Sequence, residues 1–200
     1  MLVNEFPFFN SEDCDKIKQY AYEKEKQFAS TINKVKYNNS VTTNNYDSYN
    51  FFGDHPVYTE RLVSLLKESN APLEWPILVQ SWVNIYRKGD GIGWHNHCGD
   101  GLSLNIFIDG DTEPGPAYVI RGIDDNFSEY KMETRNFKNK QGVMQIFPSA
   151  VYHKVDPLIS ELERITVAAT IHPYTAINRK VLNLLSFNNK IENGIIILSK

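Results

Sequence analysis

Cysteine is scarce in this chain: Cys14 and Cys98 are the only two in 200 residues, too few for a disulfide framework. Long apolar runs are missing as well. Even GIIIL near the C-terminus falls far short of the roughly 20 residues that a membrane-spanning helix needs. The opening LVNEFPFF has no basic leader and carries an acid, which argues against a secretory signal. These absences together predict a reducing, cytoplasmic setting without membrane association. Charge of one sign is lacking too. The 21 basic and 24 acidic residues give a net charge of −3 and are scattered, so nothing pulls the chain toward a nucleic-acid polymer or an anionic surface. No internal repeat and no linker composition divides the sequence.

With 42% hydrophobic residues, the length suits one globular domain with a sizeable core. The expected organisation is a helical part over 1–75, a β part over 76–175 and an extension over 176–200. Residues 1–10, with Phe6, Phe8 and Phe9, read as a strand or packed arm. Ser11 is a candidate N-cap, and Glu12, Asp13 and Asp15 suit the first turn of a helix over 11–28. That helix would bury Cys14, Ile17, Ala21 and Phe28. The polar segment Ser30–Asn50 and its continuation into FF read as an irregular loop or edge strand. Asp54 and Pro56 start a second helix with Tyr58, Leu62, Leu65 and Leu66 on its buried stripe, and Asn70-Ala-Pro closes it.

Beyond Pro76 the period changes to two. Ile77, Val79, Val83 and Ile85 alternate with Gln80, Trp82, Asn84 and Tyr86; Leu102, Leu104, Ile106 and Ile108 alternate with Ser103, Asn105 and Phe107. Ala117–Ile120, Val143–Phe147, Val151–Val155 and Arg164–Ile171 complete the predicted strands, with Asp109-Gly110, Glu113-Pro-Gly-Pro and Lys140-Gln-Gly142 as turns. Helices followed by many short strands predict an α+β, mainly β chain built on a sandwich or jelly roll. In the tail, a helix at Val181–Leu185 and a strand at Ile195–Leu198 are expected.

The chemistry concentrates in SWVNIYRKGDGIGWHNHCGD, residues 81–100. On an extended strand His95 and His97 share a face and can converge on one metal ion. His153, in FPSAVYHKVDP, supplies a distant third imidazole. Two near ligands and one far one suit a non-haem iron site with open positions; Asp100 is the alternative middle ligand, as a carboxylate. The plain alternative for a single histidine is packing or surface exposure, and His55 and His172 are read that way. Three histidines also suit zinc. Arg164 opens a strand whose face continues with Thr166, Ala168 and Thr170. There its guanidinium could grip a carboxylate in bidentate fashion with help from the Thr166 hydroxyl; the alternative is a strand-edge salt bridge. Tyr86 and Asn105 are candidate donors to the same carboxylate, Trp94 is placed beside the metal or on the rim, and Cys98 is either inert or a thiol close enough to the metal to coordinate it or be oxidised.

These residues together resemble the 2-oxoglutarate- and Fe(II)-dependent oxygenases, in particular the prolyl 4-hydroxylase-like group and its small phage and bacterial relatives. FFNSEDCDKIKQYA is similar to the helical opening of that group. Tyr86-x-x-Gly89 followed by His95 is similar to the run before its first iron ligand. GVMQIFPSAVYHKVDP resembles its strand with the distal histidine, and Glu163-Arg164-Ile165-Thr166 resembles its Arg-x-Ser/Thr pair for the distal carboxylate. The resemblance implies a double-stranded β-helix core with N-terminal helices packed on it. It also implies Fe(II), 2-oxoglutarate and dioxygen as cofactor and cosubstrates, and hydroxylation of a C–H bond coupled to formation of succinate and carbon dioxide. The chain departs from the group's His-x-Asp/Glu pattern by having His95-x-His97.

Two further readings stand beside this one. A three-histidine cupin-type metalloenzyme that uses no 2-oxo acid would have no need of Arg164. A barrel without activity would serve as a binding module. The expected partner is a small molecule or peptide, with a homodimer left open. Ser30–Asn50 and Arg121–Lys140 are the segments expected to recognise it.

Overall fold

The computed structural model describes residues 3–28, 41–43, 49–69, 75–97, 100–109, 112–123, 130–174 and 195–198. Cys98, most of Ser30–Asn50, the Asn70-Ala-Pro stop and the expected helix Val181–Leu185 lie outside them.

The chain begins with strand β1 (Asn4–Pro7) and helix α1 (Ser11–Phe28). The helix is capped by Asn10 rather than Ser11. The Asn10 side chain accepts from the Asp13 backbone N–H at 2.8 Å, the Asn10 N–H donates to Asp13 Oδ2 at 3.3 Å, and the Asn10 carbonyl accepts from Cys14 N at 3.0 Å. This reciprocal pair is a capping box. Its acidic partner lies three residues after Asn10, which is why the box closes there and not at Ser11. Cys14, Ile17 and Ala21 are the buried stripe, whereas Phe28 is half-buried. After β2 (Val41–Thr42) comes a short helix, α2 (Phe51–Asp54), where a loop or strand was expected, N-capped by Asn50. Helix α3 (Pro56–Glu68) follows at once, with Pro56 in its first turn and Tyr58, Leu62 and Leu66 buried. Its Arg61 reaches back to donate to Phe8 O and Asp13 Oδ2, both at 2.7 Å.

The remaining strands are β3 (Ile77–Tyr86), β4 (Ile92–His95), β5 (Leu102–Phe107), β6 (Pro116–Ile123), β7 (Tyr130–Asn136), β8 (Val143–Pro148), β9 (His153–Val155), β10 (Arg164–Pro173) and β11 (Ile195–Leu198). One sheet runs β1-β8-β5-β10-β3-β11 with β2 also paired to β3, and the second runs β4-β9-β6-β7. Every pairing is antiparallel. From β3 to β10 the chain alternates between the two sheets except at the β6–β7 hairpin, which stays in the smaller one; this is the manner of a double-stranded β-helix, so the architecture is the mainly β class expected. Two boundaries differ from expectation. Within Arg121–Lys140, residues 121–123 and 130–136 belong to a hairpin instead of a loop. Val151 sits in the turn before β9, its N–H bonded to Pro148 O at 2.9 Å.

The larger sheet is covered on both sides. Its outer face carries Val79, Val83, Ile85, Ile106, Ile165, Val167 and Ile171, which pack on the three helices and on Phe8 and Phe9. Its inner face meets the smaller sheet through Phe147, Tyr118, Val3 and Val151. For this reason β3 and β10 are buried at almost every position although their sequences alternate. Asn84, Tyr86, Arg164 and Thr166, polar residues of that alternation, face an internal pocket rather than solvent. No helix among the described residues is long and apolar enough to cross a membrane.

Candidate active site

Antiparallel pairing places the histidines. His95, at the end of β4, lies directly opposite His153, at the start of β9. His97 comes after β4 has ended, so shared parity on one strand does not bring it in. Its backbone N–H bonds to Ser149 O at 3.0 Å, and this contact with the turn before β9 turns it toward the other two. One ligating atom from each of the three imidazoles lies within 4.8 Å of the others. The ring centroids are 4.2 Å apart for His95–His153 and 5.2 Å for each pair that includes His97. Asp100, in the next turn, is exposed and outside this group.

His95 Nδ1 is 2.9 Å from Gly93 O, and His153 Nδ1 is 2.9 Å from Val151 O. A carbonyl can only accept, so Nδ1 donates in both rings and Nε2 is the nitrogen left to face a metal. Burial, with the neighbouring imidazole of His95, lowers His153 to about 3 and His97 to about 4. Neutral imidazoles with fixed tautomers are the state in which histidine binds a metal, so the residues fit a divalent transition ion. Fe(II) and Zn(II) both suit nitrogen donors.

The second pole of the pocket is Arg164, paired with Tyr86 across β10 and β3. It is 1% exposed. Its Nη2 donates to Pro114 O at 2.7 Å, and its guanidinium lies 5.6 Å from the centroid of the Tyr86 ring. Nε and Nη1 are buried and have no hydrogen-bond partner among the described residues. Burial lowers the Arg164 pKa, with Tyr86 and Glu113 opposing. Burial likewise raises the Tyr86 phenol, with Arg164 opposing. A buried cation with two free donors calls for an anion of matching fork geometry, which a carboxylate provides.

Arg164 is held at its register from outside the barrel. The adjacent Glu163 accepts from Arg87 Nε at 2.7 Å and from Tyr22 at 2.6 Å, while Arg87 grips Glu25 of α1 at 2.7 and 3.0 Å. Thr166 and Asn84, opposite each other, bond at 3.3 Å inside the pocket. Asn105 also lines it, but its side chain is engaged by Tyr118, which donates to Gln145 at 2.8 Å. Trp94 faces away from His95 and is 45% exposed, with Lys154 Nζ 5.2 Å from its ring. His55 stacks in the aromatic helical core and His172 is half-buried at the end of β10.

His95, His97, His153, Tyr86, Asn105, Arg164 and Thr166 therefore line one cavity, joined by Trp82 and Asn139. Trp82 already stood on the inward register of β3. Asn139 had no signal, since FKNKQG reads as an ordinary polar turn.

Residues 80–170 match the family model described as "Putative 2OG-Fe(II) oxygenase". No curated protein matches the chain. Among solved structures, the viral collagen prolyl hydroxylase vCPH from Paramecium Bursaria Chlorella virus-1, in its 2OG complex, is similar with a TM-score of 0.60 at 14% identity. That match covers 88% of this chain and 97% of the other. The non-heme alpha ketoglutarate dependent carbocyclase SnoK from nogalamycin biosynthesis gives a TM-score of 0.65 at 11% identity, covering 99% and 92%. HygX from Streptomyces hygroscopicus, with nickel and 2-oxoglutarate bound, gives 0.59 at 12%, covering 86% and 83%. At these identities the likeness is one of fold.

Proposed function

We propose that the chain is a 2OG-Fe(II) oxygenase, the family whose model its residues 80–170 match, and that it hydroxylates a C–H bond of a small-molecule or peptide substrate. In this reading 2-oxoglutarate and dioxygen are consumed, and succinate and carbon dioxide are released. The observation that carries the reading is the pairing of a three-imidazole cluster with a buried arginine whose Nε and Nη1 lack partners among the described residues. His95 and His153 would hold Fe(II) through Nε2 and His97 through a ring nitrogen, and Arg164 would hold the distal carboxylate of 2-oxoglutarate, assisted by Thr166 and Tyr86. The iron, when bound, supplies the activation of dioxygen that is coupled to decarboxylation of the cosubstrate.

This chain's own residues do the rest. The carbonyls of Gly93 and Val151 fix the His95 and His153 tautomers so that no proton competes at Nε2. Phe147 and Tyr118, packed 4.8 Å apart at their ring centroids, line the inter-sheet space beneath His153 and keep water from that side. Trp82, with its ring 6.1 Å from that of His97, forms the wall nearest the partly exposed histidines, where a substrate would approach. Cosubstrate and substrate would thus occupy opposite ends of the cavity. We read the chain as one domain acting in a reducing compartment.

A three-histidine enzyme without a 2-oxo acid is the second reading, favoured by the lack of a carboxylate in the histidine group. It leaves the buried Arg164 unexplained. The test is anaerobic titration of metal-free protein with Fe(II) and then 2-oxoglutarate, following the weak visible charge-transfer band of the chelated 2-oxo acid. The band is expected in the wild type and absent in His153→Ala, which loses one of three ligands. Iron binding without the band would favour the second reading, and no iron binding would refute the oxygenase.

A further inference from the structure

One buried acceptor in the pocket has no role in the scheme above. Asn139, between β7 and β8, is 2% exposed and lines the same cavity as Arg164. Its Nδ2 donates to the Thr112 carbonyl and, at 3.0 Å, to Thr112 Oγ1. The carbonyl accepts only, so the amide cannot be reversed without setting two oxygens against each other. Oδ1 is the atom left over, buried and without a hydrogen-bond partner among the described residues. Arg164 Nη2 holds Pro114 O, two residues along the same loop. The segment Thr112–Pro114 is thereby pinned by both residues. The buried end of the cavity presents two free donors, Arg164 Nε and Nη1, together with one free acceptor, Asn139 Oδ1.

A bare carboxylate satisfies the donors but brings no hydrogen to the acceptor. We propose that this end of the pocket takes the distal carboxylate together with one water. The water donates one hydrogen to Asn139 Oδ1 and the other to the carboxylate, so that Asn139 sets the length of 2-oxo acid accepted. Both hydrogens of the water find acceptors, which gives it the two polar partners that a retained buried water needs. An acid longer by one methylene drives its carboxylate into the water's place and sets oxygen against Oδ1. The proposal rests on the 2-oxo acid reading.

The test is anaerobic calorimetric titration of the Fe(II)-loaded protein with 2-oxoglutarate and with 2-oxoadipate, checked against the visible band. The wild type is expected to prefer 2-oxoglutarate. Asn139→Ala, which removes Oδ1 and opens space, is expected to reduce that preference at least tenfold by tightening 2-oxoadipate binding. Asn139→Ser, smaller in its perturbation, is expected to shift it in the same direction. Thr112→Val loosens the same loop while keeping Oδ1, and is expected to leave the preference in place. Equal weakening of both acids in Asn139→Ala and Asn139→Ser, or an equal shift in Thr112→Val, would overturn the proposal by reducing Asn139 to a loop anchor. Arg164→Met separates the two levels. If it abolishes binding of both acids while the Asn139 variants keep wild-type preference, only the role of Asn139 fails. If the wild type binds neither acid, the 2-oxo acid reading fails and this proposal with it.

Discussion

Replacing Arg164 by methionine is expected to move ligand affinity and fold stability in opposite directions. Methionine keeps a long unbranched side chain that can adapt to the space, but it removes the charge and all the donors. Two charge-assisted hydrogen bonds, from Nε and Nη1 to a carboxylate, are worth about 1.5–3 kcal/mol each. Their loss predicts a rise of about 10²–10⁴-fold in the Kd for 2-oxoglutarate. Without ligand the balance differs. Arg164 is 1% exposed and makes no salt bridge with a carboxylate among the described residues. Desolvation of an unpaired cation costs several kcal/mol. Against this stand the contact with the Tyr86 ring, about 2 kcal/mol when buried, and one bond to Pro114 O, about 1.5–3 kcal/mol. The net effect of removing the charge is a stabilisation of about 1 kcal/mol, which for about 200 residues raises Tm by about 2–4 °C. Calorimetric melts of metal-free protein and 2-oxoglutarate titration of the Fe(II)-loaded protein read the two effects separately. A variant that melts several degrees lower and binds 2-oxoglutarate like the wild type would show the guanidinium to be a structural strut and refute the reasoning.

Two further expectations concern the helical layer. Asn10→Ala breaks the capping box of α1 and should lower the stability measured in urea by about 1 kcal/mol, with iron binding unchanged; an unchanged midpoint would mean that α1 is held by packing alone. Burial tends to raise the Asp13 carboxyl, but bonds from Arg61, the Asn10 backbone and Tyr58 outweigh it and hold the pKa below its ordinary value of 3.8. A depressed folded-state pKa contributes stability that is fully present above the unfolded value and lost as pH falls through the folded one. Asp13→Asn should therefore flatten the loss of stability below about pH 4 seen in urea titrations across pH, and an unchanged slope would assign that loss to other carboxylates.

Much of the molecule was legible because its signals are local. The acidic turn and 3.6-residue spacing of 11–28, Pro56 at the head of α3, and the two-residue period of β3, β5, β8 and β10 are written in consecutive residues. The choice of Arg164 and Thr166 as one face followed from the same alternation. Other features escaped for specific reasons. Ser11 and Asn10 are both good caps, and only the hydrogen bond to Asp13 distinguishes them. Strand β7, YKMETRN, is polar because it edges the smaller sheet, so it lacks the apolar alternation that marks a half-buried strand. Phe51–Asp54 is too short for a helical period to show.

The sequence by itself marked the three histidines, Arg164 and Thr166 as candidates and gave most of the longer elements in order, with the inward register of each long strand, since backbone periodicity fixes side-chain direction within one element. Only the tertiary structure decided how separate elements meet. His97 joins His95 and His153 through a backbone bond to Ser149 after its strand has ended. Asn105 is drawn to Tyr118 of the facing sheet. Arg164 Nε and Nη1 and Asn139 Oδ1 are left without partners among the described residues, while both side chains hold the same loop at Thr112 and Pro114. Hydrogen bonds and burial between residues far apart in the chain have no local signature, and here they shape the site.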